Sequence, residues 1–160
     1  MPKHLALWLL LLVCGRAAVG QTFAQKYFVK RTAVVSGAGE VITIVNPATD
    51  RTKLAVRSVY VLCSASCDFS IERDGATPAG STLAVQKKTS AVGAAVATAF
   101  YASSVGSGTS INDYSIFGPG AQAISIADVD LPGNGVNSNF TVRLATFTGK
   151  YTIYVDWEQL

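Results

Sequence analysis

The chain has 160 residues, of which 14% are charged, with 13 lysines and arginines against 10 aspartates and glutamates. This length suits one domain with its own hydrophobic core. The positive charges are dispersed along the chain. That distribution argues against a nucleic-acid-binding protein, in which lysine and arginine form a patch.

Residues 1–20 have the pattern of a secretory signal peptide. A basic start precedes the uncharged apolar run 5–13, and small residues fill positions 17–20. We predict cleavage between Gly20 and Gln21. The apolar run is shorter than the roughly 20 residues that a membrane-spanning helix needs. Without these 20 residues the chain keeps 11 of its 13 basic residues, all 10 acidic ones and no histidine.

Two short motifs indicate covalent modification. Cys14 follows an apolar run as in a bacterial lipidation site, although Val13 stands where a small residue is expected. Asn139-Phe140-Thr141 matches the acceptor of N-glycosylation, a motif without meaning in a bacterial or phage protein.

The mature chain is predicted to begin with an N-terminal arm and first strand over 21–35, followed by one β-sandwich domain over 36–160. Glycine and serine at 36–39 indicate a turn, and 41–45 is a short β-branched strand.

Residues 54–73 predict a disulfide-clipped β-hairpin. Two alternating runs are joined by a three-residue loop with a cysteine on each side. Pairing Cys63 with Cys67 puts the apolar residues of both runs on one face, with Val61 opposite Phe69. Two free buried thiols are the alternative, and the disulfide is favoured because such bonds persist in exported proteins.

Further short strands are separated by loops rich in glycine, proline and serine. We predict them over 83–86, 96–101, 114–117 and 123–131, with a loop over 103–112. The alanine-rich stretch 91–102 is also compatible with one or two helical turns, but its composition favours a strand.

The C-terminal residues predict a second hairpin, with a turn at Thr148-Gly149. This register places Leu144 opposite Ile153 on an apolar face. The opposite, solvated face carries Thr141, Arg143, Ala145, Thr152, Tyr154 and Asp156. Two such hairpins with little helical periodicity predict an all-β fold, an antiparallel, jelly-roll-like β-sandwich of about eight to ten strands.

The sequence offers little for catalysis. The mature chain has no histidine, the usual general base. A catalytic pair of a serine with Lys87 or Lys88 is one hypothesis. We prefer the other hypothesis, that both lysines are solvated on a loop. Asp156 and Glu158 share a strand face about 7 Å apart, a separation that glycoside hydrolysis can use. Charged residues at the edge of a sheet also prevent it from pairing with the edge of another sheet. We prefer this interpretation of Asp156 and Glu158.

No cofactor is predicted. Asp128, Asp130 and Asn134 are oxygen ligands near glycine-rich turns and are weak candidates for calcium, but they lack EF-hand spacing. With no histidine and two cysteines in one hairpin, zinc, iron and copper have no usual ligand set.

One surface is a candidate for ligand binding. Tyr154, with Arg143 and Asp156 beside it, offers an aromatic ring and charged groups for a sugar. Aromatic residues are equally ordinary in the core of a β-sandwich.

Three segments resemble the small β-sandwich subunits of phage virions and of bacterial extracellular filaments: NPATDRTKLAVRSVYVL, CDFSIERDGATPAGSTL and SNFTVRLATFTGKYTIYVDWEQ. The resemblance covers roughly 46–160. It implies a repeated structural or attachment subunit with no enzymatic residues. Virion proteins assembled in the cytoplasm need no export signal, so the segment 1–20 sets this chain apart from them.

We therefore expect an exported, non-enzymatic structural or adhesive subunit, displayed on a surface or self-associating through the arm 21–35, which would add a strand to a neighbour's sheet. The alternative is a monomeric secreted carbohydrate-binding module. The expected partners are further copies of the chain, other surface proteins or a glycan, without nucleic acid and without a membrane span in the mature chain.

Overall fold

The computed structural model describes residues 24–47, 52–76, 80–88, 94–103, 108–133 and 138–160. The strands are β1 Gln25–Val45, β2 Leu54–Cys63, β3 Cys67–Arg73, β4 Ser81–Leu83, β5 Gln86–Lys87, β6 Thr98–Ala102, β7 Thr109–Ile116, β8 Gly120–Leu131 and β9 Asn139–Gln159. All their pairings are antiparallel. The described residues contain no helix, so none that could cross a membrane. The predicted all-β antiparallel fold is confirmed.

Two strands of 21 residues each, β1 and β9, form the centre of the sheet and pair along their whole length. Their neighbours divide the sheet into two parts. Half-sheet A consists of β5, residues 25–35 of β1, residues 149–159 of β9, β2 and β8. Half-sheet B consists of β4, β6, residues 40–45 of β1, residues 139–144 of β9, β3 and β7.

The sheet bends where the two half-sheets meet. The register between β1 and β9 shifts twice, between Ser36 and Ala38 and between Ala38 and Glu40. Extra residues of this kind shift the alternation of side chains and bend a strand. Inward positions accordingly fall on odd numbers before the bend in β1, as at Val29, and on even numbers after it, as at Ile42.

Polar contacts and a glycine hold the bend between the two central strands. The Gly37 N–H donates to Thr148 Oγ1 at 2.9 Å. Gly149 has a φ of +151°, and a Cβ there would lie 2.7 Å from Ser64 Oγ. A larger residue at position 149 would therefore displace the Ser64 side chain, whose hydroxyl accepts the Lys150 N–H.

The same bend continues through the two outer segments. Ser64 donates its N–H to the Lys150 carbonyl and accepts the Lys150 N–H with its hydroxyl, each at 2.8 Å. Ser66 Oγ accepts the N–H of Gly118 at 2.7 Å. Gly118 has a φ of +75°, in the left-handed region that suits glycine. Thus β2 with β3, and β7 with β8, turn the corner beside β9.

The predicted Cys63–Cys67 disulfide is confirmed, with Cα atoms 6.4 Å apart, but the predicted hairpin is wrong. β2 and β3 pair with β9 on opposite sides of the bend, with Cys63 opposite Tyr151 and Phe69 opposite Leu144. The two runs behave as one strand bent at the disulfide. Their apolar residues share a face, as predicted, because both half-sheets face the same core.

The second predicted hairpin is also wrong, because β9 continues through Thr148-Gly149 without a turn. Ile153 lies opposite Val61 and Arg31, and Leu144 lies opposite Phe69 and Glu40. Local alternation is the same for a hairpin as for one bent strand. The 21-residue partner β1 decided between them.

The predicted turn at 36–39 is likewise part of a strand, since β1 runs through it. From Gln25 onward the segment expected as an arm lies inside the sheet, paired with β9. In the predicted loop 103–112, β7 already begins at Thr109, and residues 104–107 lie outside the described residues. The signal peptide and Cys14 also lie outside them.

One core draws on both half-sheets. Its largest fully buried side chains are Trp157, Tyr27, Tyr151, Phe140, Ile42, Ile44, Leu54, Ile71, Leu144, Ile153, Val29 and Val41. Burial of one such side chain contributes about 1.5 to 3 kcal/mol. The inner faces are thus buried, which leaves the outer faces and the edges of the sheet for binding.

The disulfide at the bend can be tested by replacing both cysteines with serine. We expect Cys63→Ser with Cys67→Ser to lower the free energy of unfolding in urea by about 2 kcal/mol, the closure entropy of so small a loop. The control is Ala65→Ser in the same loop, which should change it by less than about 0.5 kcal/mol. An unchanged unfolding midpoint in the double variant would contradict a stabilising role for this bond.

Candidate functional site

The outer face of half-sheet A carries a groove of about 640 Å³, which we call the aromatic groove. It is lined by Phe28, Lys30, Ser58, Tyr60, Leu62, Thr152 and Tyr154. These residues come from β1, β2 and β9, whose alternate side chains point away from the core. Three neighbouring strands of a packed sheet therefore supply its floor.

Aromatic rings dominate the middle of this groove. Tyr154 and Tyr60 lie opposite each other on β9 and β2. The Tyr154 ring stacks on Phe28 with centroids 5.1 Å apart and planes inclined by 27°. Tyr60 is 37% exposed. On the edge strand β8, the small residue Ala123 lies opposite Tyr60. Little side-chain volume therefore stands beside the rings on that side.

Asp156 anchors a lysine at one end of the groove. Its carboxylate accepts the Ser58 hydroxyl at 2.6 Å and pairs with Lys88. The Lys88 ammonium lies 5.5 Å from the Tyr154 ring centroid. The hydrogen bond to Asp156 raises the pKa of Lys88, although burial opposes it, and Tyr154 adds to the rise. Lys88 is therefore held as a cation against the aromatic pair.

Glu158 is the next outward-facing residue of β9 after Asp156. It accepts two hydrogen bonds from Arg57, at 2.9 and 2.8 Å, and lies 3.3 Å from the Lys26 ammonium. Burial raises the pKa of Glu158, but the hydrogen bonds from Arg57 and Lys26 outweigh it, and the pKa falls below its usual value.

Two electrostatic observations bear on the catalytic pairs considered from the sequence. Asp156 and Glu158 do share the outer face, yet a general acid in glycoside hydrolysis has to hold a proton near neutral pH. The lowered pKa of Glu158 opposes that role. Lys88 approaches Ser58 only through Asp156, and its raised pKa opposes a role as a base.

A second hollow of about 420 Å³ continues the groove towards the bend. It shares Leu62 and Thr152 with the aromatic groove and adds Lys150, Pro119 and Ala121 among its lining residues. Together the two hollows form a trough along half-sheet A. The seven residues of β9 from Lys150 to Asp156 span about 20 Å of it. The trough is long enough for an extended ligand.

Arg143, predicted to lie beside Tyr154, is not part of this site. A turn at Thr148-Gly149 would have brought the two residues together on adjacent strands. Because β9 is continuous, Arg143 lies in half-sheet B, opposite Ser70 and Val41. Tyr154 and Asp156 do lie on one face, but Asp156 is 8% exposed and supports Lys88 rather than offering a free charge.

In half-sheet B, Arg143 pairs with Glu72 through hydrogen bonds of 2.6 and 3.0 Å. These bonds lower the pKa of Glu72 to about 2, although burial opposes them, and the Gly108 N–H and Ser70 hydroxyl assist. A hollow of about 310 Å³ beside Arg143 is also lined by Tyr114, whose ring stacks on Phe69 with centroids 5.1 Å apart.

The structure adds no support for the predicted calcium ligands or for the N-glycosylation motif. Asn134 and the side chain of Asp128 lie outside the described residues, and Asp130 is exposed on β8. No cluster of three metal-binding side chains occurs within the described ranges. Asn139 is 1% exposed and donates to the Gly75 carbonyl at 2.7 Å, so its amide is inaccessible to a glycosyltransferase in the folded chain.

Sequence reasoning missed Phe28 and Lys88 as site residues. The alternation of Phe28, Lys30 and Thr32 is a usable signal, but Tyr27 and Phe28 place an aromatic residue on each face of that segment, so the sequence by itself does not determine which face is buried. Lys88 follows the two-residue strand β5, and no local pattern indicates that it reaches Asp156.

No protein-family model matches the chain, and no curated protein matches it.

The Glu72–Arg143 pair gives a prediction on acid stability. The unfolded carboxyl titrates near 4.5 and the folded one at about 2. The pair therefore contributes its full stabilisation above pH 4.5 and loses it as the pH falls towards 2. At neutral pH, Glu72→Gln should lower the free energy of unfolding by on the order of 2 kcal/mol.

Urea unfolding of both proteins across this pH range provides the measurement. The difference should shrink as the pH falls from 4.5 towards 2. Asp74→Asn is the control, because Asp74 and Arg73 are exposed and 3.6 Å apart, and it should change stability by less than about 1 kcal/mol. A difference that is independent of pH would contradict the lowered pKa of Glu72.

Proposed function

We propose that this chain is an exported, non-enzymatic binding domain that holds a glycan in the aromatic groove. The stacked, outward-facing pair of Phe28 and Tyr154, with Tyr60 alongside, carries the proposal. Sugar rings present apolar faces that stack on aromatic side chains, while polar groups nearby bind their hydroxyls.

The polar groups needed to orient a sugar are present. Lys30 lies opposite Tyr154, and Ser58 and Thr152 also line the groove. The Tyr154 ring stacks on Phe28 and lies 5.5 Å from the Lys88 ammonium. A surface already ordered in the free protein loses little conformational entropy on binding.

Export is proposed on separate grounds. The signal-peptide pattern of residues 1–20 directs the chain out of the cytoplasm. The Cys63–Cys67 disulfide is a bond typical of exported proteins. Adhesion through a glycan agrees with the expected display on a surface.

Self-association is a second candidate function, and the edge strand β8 supports it. Among the described residues β8 pairs only with β2. Residues 120–126 carry no charge and no proline, the usual devices that prevent a further strand from pairing with an edge. An edge of this kind suits pairing with a second copy of the chain.

The glycan proposal is tested first by replacing Tyr154. A glycan array identifies a ligand, and titration calorimetry then compares variants. We expect Tyr154→Ala to weaken binding about tenfold or more, since loss of roughly 1.4 kcal/mol of stacking corresponds to tenfold.

The control is Tyr114→Ala, because Tyr114 also stacks on a phenylalanine, Phe69, but on the core side of half-sheet B and outside the groove. Its affinity should equal that of the wild type. Equal losses in both variants, or no binding to any glycan on the array, would contradict the aromatic groove as a glycan site.

Self-association is tested by light scattering over a wide concentration range. Ser125→Lys places a charge on β8 and should abolish any concentration-dependent oligomer. Thr146→Lys, at an exposed position of an interior strand, should leave the oligomer intact. Deletion of 21–35 is unsuitable, because it would remove half of the central strand β1. A wild-type protein that stays monomeric at millimolar concentration would exclude this candidate.

A further inference from the structure

The trough on half-sheet A is rich in positive charge. Along it and at its end stand five cations and two carboxylates: Lys26, Lys30, Arg57, Lys88, Lys150, Asp156 and Glu158. Asp130, exposed on the edge strand β8 and opposite Ala55, adds a third carboxylate to this face. Without residues 1–20 the chain has 11 basic and 10 acidic residues, a net charge of +1. The excess of five cations over three carboxylates on this one face is larger than that net charge, so positive charge is concentrated here in the folded protein.

Both carboxylates of β9 are already paired with neighbouring cations. Glu158 pairs with Lys26 and Arg57, and Asp156 pairs with Lys88. Neither is left to balance a cation deeper in the trough. Within the described residues, Lys30 and Lys150 form no ion pair.

These two lysines stand at different points along the trough. Lys30 lies directly opposite Tyr154, beside the aromatic rings. Lys150 lines the hollow near the bend, four residues along β9 from Tyr154, or about 14 Å. A ligand that meets both charges therefore has to be extended and to carry more than one anionic group.

We propose that the ligand of the trough is an anionic glycan, whose rings lie on Tyr154 and Tyr60 and whose carboxylate or sulfate groups pair with Lys30 and Lys150. This inference rests on the proposed glycan-binding function. Aromatic stacking supplies affinity for any sugar, whereas the two free ammonium groups select acidic chains over neutral ones.

The experiment uses polysaccharides matched in backbone and different in charge. Dextran sulfate is compared with dextran, and polygalacturonate with its methyl ester, by calorimetry at low and at high salt. We expect the charged member of a pair to bind at least about tenfold more tightly at low salt, and the preference to fall as salt screens the charges. The pair that shows it identifies sulfate or carboxylate as the anionic group.

Variants then locate the effect. Lys30→Gln with Lys150→Gln should remove most of the preference for the charged polymer while retaining weak, salt-independent binding. The charge-matched control is Lys53→Gln with Arg73→Gln, because neither residue lines the trough. That control should keep the preference.

Failure of this inference and failure of the proposed function give different results. Equal binding of neutral and charged polymers, lost on Tyr154→Ala, would overturn the anionic ligand and leave the glycan site standing. Absence of binding to all four polymers and to the array would overturn both. Binding of a single-stranded oligonucleotide or of anionic lipid vesicles, dependent on Lys30 and Lys150 and without polysaccharide binding, would overturn the glycan and assign the cations to that partner.

Discussion

Four chain segments turn the same corner, and the rest of the structure depends on their doing so together. A bent strand exposes backbone groups unless its neighbour bends at the same level. Hydrogen bonds from Gly37 to Thr148, between Ser64 and Lys150, and from Gly118 to Ser66 join the segments across the corner. The disulfide adds a covalent closure to one of them. One continuous sheet thereby covers a single core with both of its halves.

The bend also separates the buried residues that stabilise the fold from the outward-facing residues that are available for binding. Inner faces of both half-sheets are buried, so the outer faces are left for partners. On half-sheet A the outer face gathers aromatic rings and lysines in one trough. On half-sheet B it holds the Glu72–Arg143 pair, where each charge is satisfied by the other. The same strand β9 contributes to both faces, which differ because the bend places its two ends in different half-sheets.

The trough combines a rigid floor with charges from distant parts of the sequence. Tyr154 and Lys30 come from the two central strands, and Lys88 comes from the segment after β5. Asp156 faces the same side as Tyr154 but acts as a support, because its carboxylate is occupied by Ser58 and Lys88. Recognition in our proposal therefore falls to the aromatic rings and to Lys30 and Lys150, which form no ion pair with the residues that the structure describes. Charge selects the ligand, and stacking supplies affinity that any sugar can use.

Alternation of apolar and polar residues sufficed to determine the all-β class and the inward positions within 59–63, 67–71, 140–144 and 151–157, and the spacing of the cysteines sufficed for the Cys63–Cys67 pair. These features depend on near neighbours, and the period of two is the same whatever the partner strand. Strand partners are different, because a hairpin and a bent strand bury the same residues. Only the pairing of β1 with β9 over their full length decided between them, and it moved Arg143 away from Tyr154 and brought Phe28 and Lys88 to it. Those contacts join residues far apart in sequence, which is why tertiary structure alone could place them.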